Sequence, residues 1–267
     1  MRDRAISAST LLGIALLCSA AAIGLGNVHP FGNPGPRSNT ISADKRAKLL
    51  RDVSLPAAAK ATLLTKCADC HSDATHWPAY TRIAPGSWLI ERDVIRAREQ
   101  MNLSHWAELT PEQRQVLEAK ILQETRQGNM PPIQYLALHW NAKLTAQDLD
   151  ALSTLNKGDG ATETGTNTPG NAEHGKLVFE KRCTGCHTID TDREGPRLRG
   201  VFGRKAGTIS GFKYSPELKA SGITWDADSL DKWLSDTDAM IPGNQMGFRV
   251  PKASDRADLI AFLKQLQ

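Results

Sequence analysis

"LTKCADCHSD", residues Leu64–Asp73, places Cys67 and Cys70 two residues apart and His71 directly after the second cysteine. The arrangement returns as "CTGCH", with Cys183, Cys186 and His187. Thiols at this spacing can hold zinc, cycle as a redox dithiol or capture a haem. A zinc ribbon needs two pairs about 15–20 residues apart. Here the second pair lies far beyond that, across a polar stretch. A thioredoxin-like dithiol needs a βαβ frame, and no alternating strand pattern accompanies either motif. Haem attachment needs two thiols that reach the two vinyl edges of one porphyrin, with an imidazole beneath the iron. Cys-x-x-Cys-His supplies both on one turn at a helix end. Two such motifs point to two covalently attached c-type haems with their iron, leaving zinc and disulfide as minor alternatives.

An iron held by histidine on one side needs a sixth ligand. The chain has five methionines. Met130 lies in "GNMPP" and Met246 in "PGNQM", both Pro/Gly-rich loops that can hold a side chain over an iron. Met130 follows His71 by the same interval as Met246 follows His187. The expected iron ligands are therefore His71 with Met130, and His187 with Met246. Met240 competes with Met246, and His139 competes with Met130. Met101 sits in a helical pattern and is expected to pack. A thioether favours ferrous iron and raises the reduction potential. With both axial positions filled, such a haem carries electrons, so no catalytic residue is expected. The histidine Nδ1 proton should meet a backbone carbonyl, which fixes the tautomer.

The N-terminus shows Arg2 and Arg4 before an uncharged apolar run, Thr10–Gly26. A basic start, an apolar middle and small residues at Ala20–Ala22 resemble a signal peptide. The run is short of the roughly 20 residues of a comfortable membrane span, so residues 1–26 are expected to be a cleaved signal or an anchor. Either outcome exports the remainder, to a bacterial periplasm, soluble or tethered to the inner membrane through residues 10–26. Cys18 lies in this run behind Leu17, a poor lipidation site. Net charge is +4 over 267 residues, with no strongly basic block, so nucleic acid is not an expected partner.

Residues 27–40 are Pro/Gly-rich and form an expected arm. Residues 157–171, "KGDGATETGTNTPGN", carry almost no apolar side chain and form an expected flexible linker. They separate a haem-binding domain, 41–156, from a second haem domain, 172–267. The patterns between are helical. Pro56 suits the first turn of a helix running into Cys67. "SWLIERDVIRAREQM" has helical apolar spacing. Thr110, Pro111 and Gln113 make an N-terminal capping signal, and Gly128 a stop. Thr145 caps a helix through about Asn156. "EHGKLVFEKRC" runs into Cys183, "DSLDKWLSD" is a short helix, and Ser254 is the expected cap of the last one. The expected fold class is all-α: two cytochrome c-like helical haem domains, a linker, and an N-terminal signal or anchor helix.

From about Gly175 to Leu266 the chain resembles class I cytochrome c of the mitochondrial and bacterial c2 type. "CTGCHT", "GPRLRGVFGRKAGT", "GFKYSPELKASGITW", "LDKWLSD", "IPGNQM" and "DRADLIAFLK" carry the resemblance. It implies that the Pro196 carbonyl accepts from His187, that Tyr214 and Trp225 hydrogen-bond a haem propionate, that Arg204 offsets propionate charge, and that Met246 is the axial ligand. Trp233 departs from the pattern, standing where many relatives place tyrosine. Residues from about Val53 to Asn156 resemble a group of exported haem-binding domains through "CADCHSDATHWPAYTRIAPGSWLIERDV", "NLSHW", "GNMPPIQYLALHW" and "LTAQDL". That resemblance implies one haem on Cys67, Cys70 and His71, with Met130 of the Met-Pro pair as ligand. Trp77, Tyr80 and Trp88 would pack on the porphyrin or fill an ordinary core.

The expected function is electron carriage between redox proteins by a dihaem cytochrome. A dihaem peroxidase or a dehydrogenase's cytochrome subunit is the enzymatic alternative, and a haem-based gas sensor the binding one. Each needs a haem with an openable sixth position.

Overall fold

Thr110 shows how closely local sequence sets the helices. Its hydroxyl accepts from the Gln113 amide at 3.3 Å while the Gln113 side chain accepts from the Thr110 amide at 2.9 Å. This reciprocal box starts a helix at Pro111, and Gly128 follows its end at φ +74°, a left-handed conformation that costs glycine little. Thr145 and Asp148 form the same box for the next long helix.

The computed structural model describes residues 8–35, 39–157, 163 and 169–267. Arg2 and Arg4 of the expected leader, residues 36–38 of the arm, and residues 158–162 and 164–168 of the linker lie outside the described residues. Among the described residues the chain is helical without a strand, with one isolated antiparallel bridge between Lys205 and Thr224. In chain order the helices are α1 (Ala8–Leu25), α2 (Asn39–Lys48), α3 (Ala57–Thr62), α4 (Gly86–Gln100), α5 (Pro111–Arg126) and α6 (Ile133–Leu136). They continue as α7 (Ala146–Ser153), α8 (Ala172–Arg182), α9 (Pro216–Ala220), α10 (Ala227–Ser235), α11 (Thr237–Met240) and α12 (Ala253–Gln265).

The helix expected to run into Cys67 is α3 followed by a π-turn at Leu63–Cys67. The helix expected to reach about Asn156 stops at Ser153 and tightens into a 3-10 turn at Leu155–Lys157. The last helix begins at Ala253, so the expected cap at Ser254 is corrected: Ser254 lies inside the helix. The Ala253 amide instead donates to the Glu163 carboxylate at 3.0 Å. A carboxylate suits the positive end of a helix dipole.

Two compact units result, Met1–Val53 with Cys67–Ala107, and Ser54–Lys66 with Glu108–Gln267. In the first, Trp77, Val94, Leu103 and Trp106 are buried. Arg98 ties this unit's loops by donating to the carbonyls of Ser72 at 2.9 Å and Pro34 at 2.7 Å and to the Thr75 hydroxyl at 2.9 Å. The C-terminal end of α1 is fastened by the Ala84 amide donating to the Ala22 carbonyl and by Trp88 Nε1 donating to the Leu25 carbonyl. Its apolar side chains Leu11, Leu12, Leu16 and Leu17 are exposed. Among the described residues no helix is long and apolar enough to cross a membrane.

In the second unit α8 crosses α12 at backbone contact. A Cβ at Gly175 would lie 1.9 Å from the Asp258 carbonyl oxygen, so only glycine permits this crossing. Phe179 of α8 meets Phe262 of α12 with ring centroids 5.5 Å apart. The fully buried Arg256 donates to Asp231 at 2.7 Å and to the carbonyls of Val250, Pro251 and Glu163, so its charge is paired and its donors are used. Helix α5 packs against α7 and α8 in this same unit.

Candidate haem-binding sites

The second Cys-x-x-Cys-His begins where α8 ends. The Cys183 carbonyl accepts from the amides of Cys186 at 3.1 Å and His187 at 2.8 Å, so both thiols and the imidazole project from one turn. His187 Nδ1 donates to the Pro196 carbonyl at 2.7 Å, leaving Nε2 as the ring nitrogen that can bind iron. Gly195 lies flat against the ring: a Cβ there would be 2.4 Å from His187 Cε1. Burial pushes the His187 pKa down and favours the neutral imidazole an iron requires. Burial also pushes the Cys183 thiol up to about 12 and the Cys186 thiol up to about 11.

These groups face one cavity that opens to solvent. Cys183, Cys186, His187, Pro196, Arg204, Tyr214, Trp225 and Met246 all line it, while the competing Met240 does not. Arg204 donates to the carbonyls of Arg199 at 2.9 Å and Arg197 at 3.1 Å, and burial lowers its pKa. Burial raises the pKa of Tyr214, whose ring meets Phe212 edge-on at 4.7 Å. Trp225 and Trp233 lie 5.5 Å apart, both buried.

The Met246 loop is held by one buried amide. Asn244 Oδ1 accepts from the Met246 amide at 2.8 Å and the Gly247 amide at 3.2 Å, while its Nδ2 donates to Asp238 at 2.9 Å and to the Ile241 carbonyl at 3.0 Å. Met240, the competing methionine, packs on the hydrophobic cluster.

The first motif forms its own turn in the first unit. The Cys67 carbonyl accepts from the amides of Cys70 at 3.2 Å and His71 at 3.0 Å. His71 Nδ1 donates to the Met101 carbonyl at 3.1 Å, as His187 does to Pro196. Burial lowers the His71 pKa and raises the Cys70 thiol to about 11. Trp77 is buried, and Tyr80 and Trp88 are half-buried. Met130 belongs to the second unit, in the turn after α5, with 36% of its surface exposed. His139 stacks on Tyr135 at 4.3 Å.

Sequence reasoning missed three things here. The Met101 carbonyl, a backbone group, leaves no residue signature. Gly195 was unremarked within "GPRLRG". The cavity is also lined by Val116, Ala119 and Gln123 of α5 and by Gln127 at its C-terminal cap; the helix was signalled by its cap and stop, but its long-range destination was not.

The residues fit a covalently held porphyrin. Two thiols and a neutral imidazole share a turn, a glycine accommodates the ring, and a thioether reaches the same space. Among the described residues no group of three or more His, Cys, Asp or Glu is placed to hold a metal by itself. Cys183 and Cys186 would attach such a porphyrin, and His187 would hold its iron. Helical architecture and site together define a c-type haem protein.

Known proteins agree. Residues 172–267 match the family model described as cytochrome c, and residues 31–158 match that described as haem-binding domain. Cytochrome c of Gossypium barbadense is 41% identical over 101 residues, 36% of this chain and 91% of the relative. Cytochrome c 2.1 of Caenorhabditis elegans is 42% identical over 98 residues, 36% of this chain and 88% of the relative. The structure of ferricytochrome c2 from Rhodopseudomonas palustris is 34% identical, covering 36% of this chain and 99% of that one, with a TM-score of 0.34. The chain belongs to the cytochrome c family, with a haem-binding domain preceding its cytochrome c domain. Membership implies a c-type haem with its iron, haem-based electron transfer and redox-protein partners.

Proposed function

We propose that this chain is a dihaem c-type cytochrome that relays electrons between redox proteins. The observation that carries the proposal is the single cavity shared by Cys183, Cys186, His187 and Met246, with His187 Nδ1 engaged by the Pro196 carbonyl. The Met101 carbonyl engages His71 in the same way, which supports an equivalent role for Cys67, Cys70 and His71. A bound haem supplies one-electron exchange between ferrous and ferric iron. The protein's part is to attach it through paired cysteines, keep each histidine neutral and oriented, and exclude water with apolar walls. Met246 and Met130 are the methionines proposed to hold the haem iron; bound there, they would leave no open position for peroxide or oxygen.

The proposed location is exported, in a periplasm, with α1 as cleaved signal or tether. The exposed apolar side chains of α1 support this, because an exposed apolar patch marks a surface that contacts lipid or protein. Partners would engage through weak contacts of low buried area. A second reading, an openable first haem with peroxidase chemistry, draws on the exposure of Met130. Titrating the purified protein while recording spin state and the methionine–iron charge-transfer band tests both. Two low-spin centres that each show the band support the relay. A high-spin first haem that binds cyanide readily supports the peroxidase.

A further inference from the structure

Helix α5 belongs by sequence to the haem-binding match, yet within its compact unit it lies on the cytochrome c domain. One face makes the contact. Val116 lies against Gly185, between the two motif cysteines, where a Cβ would come within 2.6 Å of the Val116 side chain. Ala119 is buried in the same hydrophobic cluster as Cys183. Gln123 Nε2 donates to the Glu194 carbonyl. Gln115 donates to the Arg249 carbonyl at 2.5 Å and accepts from Arg182. Arg126 closes the end: it donates to both carboxylate oxygens of Asp238, at 2.9 and 3.0 Å, and to the Asn244 carbonyl at 2.9 Å. Bidentate arginine–carboxylate pairs are the stronger and more directional kind.

The chemistry of attachment says what lies beneath this helix. Thiols from Cys183 and Cys186 bond the porphyrin at its vinyl-bearing edge. A helix seated on the Cys183–Cys186 turn therefore covers that edge. Its other end is fastened to Asp238 and Asn244, which hold the Met246 loop. The contact is directional and polar at its ends and apolar at its centre, as specific protein interfaces are.

We propose that α5 is a resident partner of the haem edge in the cytochrome c domain. It occupies the face a diffusing redox protein would otherwise use, so electrons arriving from that side pass through the chain's own N-terminal half. The inference rests on the haem assignment at Cys183, Cys186 and His187.

The test uses the full, haem-loaded chain and Arg126→Ala, which removes the clamp. Arg126→Lys keeps a cationic donor toward Asp238 and leaves the Asp238–Asn244 hydrogen bond in place. Each reduced protein is mixed with hexacyanoferrate(III), an anion, and with tris(phenanthroline)cobalt(III), a cation. In either case one electron leaves ferrous haem and reduces the reagent's metal. Opening the edge predicts about tenfold faster oxidation of the second haem by both reagents in Arg126→Ala, with recovery toward the wild-type rate in Arg126→Lys. Amide hydrogen exchange of residues 115–126 and of the Cys183–His187 turn should quicken together. Rates that are unchanged, or that move in opposite directions for the two reagents, overturn the proposal, since the latter is charge alone. A haemochrome assay of each protein separates the two failures: an intact second haem with unchanged rates refutes the cap, and its absence refutes the haem assignment.

Discussion

At the residue scale, the histidines are positioned by groups of unequal visibility in sequence. His187 is fixed by the Pro196 carbonyl on one side and by the bare face of Gly195 on another. Gly195→Ala places a methyl inside the imidazole's contact distance, so ring or loop must shift. Overpacking of this kind costs about 1–3 kcal/mol. The expected outcome is a lower thermal midpoint with a weakened methionine–iron band, because the tilted ring no longer presents Nε2 squarely. An unchanged midpoint and band would show that the ring is not held by Gly195. The thiols, imidazoles and Met246 were legible because their chemistry is written in residue type and spacing. The Met101 carbonyl was not, because every residue carries one and only folding brings this one to His71.

At the element scale, side-chain caps and a C-terminal glycine set several helix boundaries. Thr110→Ala removes one half of the box that starts α5 and should cost about 1 kcal/mol, read by chemical denaturation. No loss would mean that tertiary packing alone fixes the helix start. Glu118, also on α5, gives a pH dependence. Burial raises its carboxyl from 4.5 to about 7, only partly offset by Arg114 and Arg249. The folded state therefore binds more protons than the unfolded state between those values, and stability falls as pH rises through 7. Glu118→Gln should flatten that fall and stabilise the protein by about 1–3 kcal/mol at pH 8, with little effect at pH 4. Parallel stability–pH curves for variant and wild type would contradict this. Thr110, Gly128 and Thr145 signalled their roles in sequence because caps act within four residues. The true start of α12 did not, since Glu163 reaches Ala253 from within the linker, 90 residues away in sequence.

At the scale of the whole molecule, sequence motifs and compact units divide the chain differently. Residues 108–157 share a family match with the first motif but pack with the cytochrome c domain. The capping signal at Thr110, Pro111 and Gln113 and the stop at Gly128 identified α5 as a helix. Its partner was hidden because Val116, Ala119 and Gln123 carry no signature beyond helical spacing, and long-range docking depends on complementary surfaces. The central claim is that one chain carries two haems and passes electrons between redox partners. A spectroelectrochemical titration of the purified protein, with haem and chain quantified on the same sample, tests it most directly. Two electrons per chain are expected, taken up by two covalently bound low-spin haems. One electron per chain, or one haem per chain, would contradict it.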